Sequence, residues 1–155
     1  MFELHSQLRA DTVAVGQFQL SLVLLHRDAN FPWLILVPKR EGIREIFHLD
    51  ESDQVQLLRE SSHLAEVMTS VYAPKKINIA TLGNMVPQLH LHHVARFEDD
   101  PAWPRAIWGA LPAKPYDPEL LEKRVRRLRS SLVGEGFTSD VDVEPSGRSS
   151  AGFTP

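Results

Sequence analysis

Three of the seven histidines in this chain fall within four residues, in Gln88-Leu89-His90-Leu91-His92-His93-Val94. Imidazole changes charge near neutral pH and serves as base, nucleophile or metal ligand. Polar and apolar residues alternate from Gln88 to His92. A strand repeats its side-chain direction at every second residue. On a strand, therefore, Gln88, His90 and His92 face one way, and Leu89, Leu91 and His93 the other. Three roles are open to the polar row. Zinc takes at least three protein ligands in most sites. Gln88 is a poor ligand and cysteine is absent, so a zinc site would have to borrow His5, His26, His48 or His63. No metal or other cofactor is expected. Alternatively, a neutral imidazole can attack phosphorus when one ring nitrogen is held as N–H and the other is free. That chemistry also needs donors aimed at the phosphoryl oxygens, and the Gly83-Asn84 loop stands just upstream. The third role is a row that only faces water.

The surrounding elements must hold this row. Residues 2–10 are compatible with a short helix. Thr12–Val15 and Phe18–Leu25 read as a hairpin turning at Gly16-Gln17. Trp33–Val37 is continuously apolar, as a central buried strand is, and Pro38 and Gly42 bracket its exit. Asp50 can cap a helix whose first turn carries Glu51 and Asp53. Leu57, Leu64, Met68 and Val71 recur at helical spacing, with Leu58 and Val67 beside them, so a long helix spans roughly 51–72 and ends at Ala73-Pro74. Lys76–Leu82 and Gln88–Arg96 are strands. Residues 99–116, rich in Pro and Trp, form an irregular packed segment with Trp103 and Trp108 in the core or at a dimer contact. Asp117-Pro118-Glu119 starts a C-terminal helix. Its run Lys123–Arg129 interleaves charge with apolar residues, which favours a solvated face over a phosphate-tracking patch. Grouped strands around one long helix make an α+β fold with a mainly antiparallel sheet of about five strands. The expected division is one domain over 1–133 and a flexible tail over 134–155, where apolar content drops.

The histidine segment resembles the histidine triad (HIT) motif, His-φ-His-φ-His-φ-φ with φ hydrophobic. The likeness extends to Trp33–Arg40, similar to the family's strand ending in Val-Pro-Lys/Arg. His48-Leu49-Asp50 is loosely similar to the entry of its long helix. Asn78 with Gly83-Asn84-Met85-Val86 resembles its Asn…Gly-Gln-Ser/Thr-Val run. About residues 12–96 are covered. Relatives are small α+β nucleotide hydrolases and transferases, usually homodimeric. The resemblance implies that His90 is the nucleophile forming a nucleotidyl-histidine intermediate, and that His92 contacts the phosphate. It further implies a phosphate contact at Asn84 beside Gly83, a nucleotide contact at Asn78, ribose contacts near His26 and Asp28, and a base pocket near Leu24 and Leu25.

Three residues depart from the pattern. Gln88 stands in the first histidine slot and hydrogen-bonds without titrating. Met85 replaces a hydroxyl donor, and Trp33 replaces a further histidine. His93, where relatives carry an aliphatic residue, is read as a structural histidine under the long helix. The expected function is hydrolysis or transfer at the α-phosphorus of a nucleoside phosphoramidate or dinucleoside polyphosphate. The alternative is a nucleotide- or phosphate-binding protein with little catalysis.

Composition agrees with a single soluble domain. The chain has 155 residues, 43% hydrophobic, with formal charge −3 from 17 basic and 20 acidic side chains. That is enough for one core, and no global field favours nucleic acid or an anionic membrane. Lack of cysteine fits a reducing cytoplasm. Met1–His5 lacks the features of a secretory signal, and the apolar stretches are too short to cross a bilayer.

Overall fold

The computed structural model describes residues 1–141. The chain runs α1 (Ser6–Asp11), β1 (Thr12–Gln17), β2 (Ser21–His26), β3 (Trp33–Pro38), a 3₁₀ turn (Ile46–His48), α2 (Glu51–Tyr72), β4 (Lys76–Ala80), β5 (Leu91–Arg96) and α3 (Pro118–Ser131). The five strands form one sheet in the order β1-β2-β3-β5-β4, and every neighbouring pair is antiparallel. This is the α+β architecture expected. No helix among the described residues is long and apolar enough to cross a membrane.

β3 is buried along its whole length because both faces of the sheet are covered. On one face Val23, Leu25, Leu34, Leu36, Leu91 and Ala95 pack with Leu57, Leu64 and Met68 of α2 and with Val125 and Leu128 of α3. On the other, Leu22, Leu24, Trp33, Ile35, Val37 and Val94 meet Leu4, Leu8, Val86, Ala102 and Ile107. The second layer has little regular structure, and it holds the site.

α2 occupies the span its periodicity implies, and Asp50 caps it by accepting from the Asp53 N–H at 2.8 Å. It ends where Ala73 turns left-handed at φ 48° ahead of Pro74. Leu58, placed beside the apolar stripe, is 68% exposed. α3 begins at Pro118 as read, with Asp117 accepting from the N–H groups of Glu119 and Leu120. Its basic run is not merely solvated. Arg124 lies over the rings of Tyr72 and Tyr116. Arg127 donates to the Val71 carbonyl, and Arg129 to those of Val15 and Ala14.

The first hairpin turns later than Gly16-Gln17. β1 continues through Gly16 with an irregular register after Ala14, and the turn falls at 18–20, closed by the Phe18 N–H to the Ser21 carbonyl. Gly16 serves close packing instead: a Cβ there would lie 2.4 Å from the Thr138 carbonyl oxygen. The contact comes from residues 134–141, expected in the tail. Thr138 pairs with Gln17, Phe137 meets Phe18 edge-on at 5.7 Å, and Gln19 donates to the Glu135 carbonyl. The rest of the expected tail, 142–155, lies outside the described residues.

Candidate active site

Register decides which histidines meet. Ile35 pairs with His92 and Leu34 with His93 across β3 and β5, so the two adjacent histidines face opposite sides of the sheet. His93 is fully buried under α2. Its Nδ1 lies 3.2 Å from the Leu91 carbonyl and its Nε2 2.8 Å from Ser61 Oγ. The carbonyl can only accept, so Nδ1 carries the proton and Nε2 accepts from the serine hydroxyl. Burial lowers its pKa to about 4. His93 is thus the structural histidine that strand alternation implies.

His90 and His92 line the opposite face. Their rings meet edge-to-face with centroids 4.9 Å apart. His90 Nδ1 sits 2.6 Å from the Gln88 backbone carbonyl. That contact requires N–H on Nδ1, so in the neutral ring Nε2 keeps its lone pair. His92 is arranged the other way: its Nδ1 lies 2.9 Å from the Trp33 indole N–H. His92 therefore carries its hydrogen on Nε2. Burial first, then the neighbouring His90, His26 and His93, lower its pKa to about 3. The pair consists of one imidazole with a free lone pair and one with a free N–H, the complementary requirements of attack on a phosphoryl group.

Both rings border a cavity of about 340 Å³ walled by Leu8, Trp33, Ile35, Val86 and Trp108, with Asp11, His26, Gly83, Asn84 and Met85 also on its surface. That volume and a mostly apolar wall with few polar groups are usual for a small-molecule pocket. Gly83 adopts φ +79°, a left-handed conformation that a side chain would strain, and this turns the Asn84-Met85 tip toward the cavity. Among the described residues no group of three or more His, Asp or Glu could hold a metal ion.

The structure brings His90, His92, Gly83, Asn84 and His26 together and leaves the other expected contacts elsewhere. Gln88 precedes β5, because the ladder with β3 ends at the Leu36–Leu91 pair and the Leu89 N–H goes to the Ile43 carbonyl. Alternation therefore does not extend to Gln88. Its side chain accepts from the His5 N–H at 2.9 Å and donates to the Glu3 carbonyl at 2.9 Å, clasping the N-terminal segment. Asn78 shares the His92 face but accepts from Arg96 Nη1 at 2.8 Å. Arg96 is buried and paired with Asp100. Asp28 is buried with Oδ1 accepting from Asn30 and from the Lys114 N–H, which closes its loop. Leu24 and Leu25 lie in the two cores rather than the cavity wall. Lys39 and Arg40, the basic end of the Val-Pro-Lys-Arg strand, hold the Phe18 turn and Asp53 of α2. Leu8 and Asp11 carry no signal of a site in the sequence, and Trp108, expected in the core or at a dimer contact, lines the cavity instead. They reach the cavity from distant positions with no local motif, although the density of Trp and Pro after residue 99 marks that segment as packed.

Replacing Gln88 by Ala would unpair the His5 N–H and the Glu3 carbonyl, both partly open to water. We expect a loss of about 1 kcal/mol and faster proteolysis ahead of α1. An unchanged urea midpoint would show that the clasp contributes nothing.

The model of the HIT domain family matches residues 7–99. Among solved structures, the chain is similar to a histidine triad protein from Marinobacter aquaeolei VT8, with 48% identity over 85% of this chain and 96% of that one and a TM-score of 0.83. It is likewise similar to one from Bradyrhizobium japonicum, with 43% identity over 84% and 97% of the two chains and a TM-score of 0.82. A third, from Sinorhizobium meliloti 1021, shares 39% identity over 85% and 98% at a TM-score of 0.83. No functionally curated protein matches the chain.

Proposed function

The chain belongs to the HIT domain family, and on that premise we propose that it is a nucleotide hydrolase or nucleotidyl transferase acting through His90. One observation carries the proposal: the hydrogen bond from His90 Nδ1 to the Gln88 carbonyl, which frees Nε2 at the cavity. In the first step the Nε2 lone pair forms a bond to the α-phosphorus. The bond to the leaving group breaks, and its electron pair departs with that group. The ring becomes cationic, and the Gln88 carbonyl on Nδ1–H stabilises the charge. His92 Nε2–H and Asn84 donate to the non-bridging oxygens. Water then attacks phosphorus, the N–P bond returns its electrons to Nε2, and a nucleoside monophosphate and a proton leave. Trp33, Ile35, Leu8 and Trp108 supply the flat apolar wall a nucleobase needs. Transfer rather than hydrolysis follows when another acceptor replaces water.

The same resemblance supports a homodimer, and β4, at the edge of the sheet, exposes Ile79. The lack of cysteine supports a cytoplasmic setting. A binding protein with little turnover is the rival. The Met85 side chain offers no donor, the Gln88 side chain is turned to the N-terminus, and Asn78 is held by Arg96. Rapid quenching under alkaline conditions with nucleoside phosphoramidates and dinucleoside polyphosphates separates the two. A nucleotidyl adduct on the His90 peptide is expected. Saturable binding with no adduct and no turnover would leave only the rival.

A further inference from the structure

His92 has a partner that fixes its chemistry. The indole nitrogen of Trp33 can only donate, so the 2.9 Å contact makes His92 Nδ1 an acceptor. Trp33 lies diagonally across from His92, since Trp33 pairs with Val94 and Ile35 with His92. Its ring is held firmly. His26 stacks flat on it at 3.8 Å and 5°, and Trp108 meets it edge-on at 6.3 Å and 88°. His26 is itself oriented, accepting from the Asp28 N–H on Nδ1 at 3.0 Å. Trp33 and His92 are 8% and 6% exposed, so water does not compete for this contact.

We propose that Trp33 is a positioning residue that locks His92 as its Nε2–H tautomer, a permanent donor to the substrate phosphoryl group, and thereby selects leaving groups that depart as anions. A cationic His92 would bring its Nδ1–H head-on against the indole N–H in a dry pocket. The groups facing His92 do not favour that cation: His90 at 4.9 Å, Trp108 at 5.3 Å, His26 behind Trp33, and His93 on the far side of β5. Asp11, on α1, borders the same cavity with Oδ2 accepting from Gln7 Nε2. Gln88 does not titrate. His92 is therefore not on hand as an imidazolium to deliver a proton at neutral pH. Cleaving a phosphoric anhydride places the electron pair on a phosphate oxygen, which is stable without a proton. Cleaving an alkyl phosphoramidate requires one at nitrogen. This selection rests on the proposed function; the tautomer does not.

Spectra of ¹⁵N-histidine protein test the lock without substrate. Between about pH 8 and pH 5, where a free imidazole titrates, His92 should keep an unprotonated Nδ1 and a protonated Nε2. In Trp33→Phe the ring should sample both tautomers and titrate. Nδ1–H on His92 in the native protein would overturn the lock, and that result stands even if the variant fails to fold. A His92 signal unchanged in a folded variant would overturn it equally. For selection, native enzyme should turn over diadenosine triphosphate faster than an alkyl phosphoramidate of AMP by on the order of a hundredfold, the low end of a general-acid contribution. Trp33→Phe should narrow that ratio as the pH is lowered from 7 to 5. Equal native rates would overturn the selection. No turnover of either substrate would defeat the proposed function and the selection with it, while the spectra still decide the tautomer.

Discussion

Replacing His90 by Ala is expected to lower turnover by roughly 10⁴-fold or more, the scale seen when a covalent nucleophile is removed from an enzyme. The nucleotidyl adduct should vanish with it. Folding should survive. His90 stands just before β5, outside the strand ladder, and its ring Nδ1 hydrogen-bonds the Gln88 carbonyl. Its ring borders the cavity on the face of the sheet opposite α2. The His92→Ala variant should behave differently. It loses a donor to the phosphoryl oxygens and keeps the nucleophile, so about 10²–10³ in rate is at stake and the adduct should still form, slowly. Circular dichroism and thermal melting separate a chemical loss from unfolding. A folded His90→Ala protein that releases nucleoside monophosphate at the native rate would remove His90 from the chemistry.

Local patterns in the sequence account for the elements that carry the site. The unbroken apolar run Trp33–Val37 marks a strand covered on both faces. Asp50 with Glu51 and Asp53, and Asp117 with Pro118, mark the starts of α2 and α3 because capping is a matter of adjacent residues. The parity of β5 separates His93 from His92. Most of the expectations that differ from the structure depend on contacts between remote residues. Gln88 leaves the row because Leu89 pairs with Ile43 instead of β3. Asn78 turns to Arg96, and Asp28 to Lys114. Gly16 looks like a turn residue until Phe137 and Thr138 are placed upon it. Asp11 and Trp108 join the cavity from segments separated by most of the domain. Where a side chain's partner is near in sequence, its role can be read; where the partner arrives through tertiary packing, the residue type alone is ambiguous.

The histidine row also makes the fold acid-sensitive, and that is the second large effect expected. His93 is fully buried as a neutral ring, with its pKa lowered to about 4, chiefly by desolvation. His92 is lowered to about 3 for the same reason, and His26 is lowered too. In the unfolded chain these rings titrate near the ordinary value of 6.5. Each folded pKa thus lies below its unfolded one. Above pH 6.5 neither state binds the proton and the histidines cost nothing. As pH falls from about 6.5 to about 4 the unfolded chain takes up protons that the folded chain refuses, so stability is lost through that window. For His93 alone the loss approaches about 3 kcal/mol by pH 4, at about 1.4 kcal/mol per pKa unit, and His92 adds in the same direction. The lowered carboxylates act later: burial raises the Asp100 carboxyl, but Arg96 and two backbone N–H groups together outweigh it, and its contribution is lost only as pH falls below its ordinary 3.8. The drop between pH 6.5 and 4.5 therefore belongs to histidine. Urea midpoints at half-unit steps through that range should fall continuously, with unfolding accompanied by uptake of more than one proton near pH 5. His93→Gln, which cannot titrate, should be less stable at pH 7.5 and show a shallower fall by about one proton, since one titrating ring is gone. Flat midpoints from pH 7 to pH 5 in the native protein would mean that these rings are charged or solvated in the folded state, and the assignment of His92 and His93 as buried neutral imidazoles would fail with them.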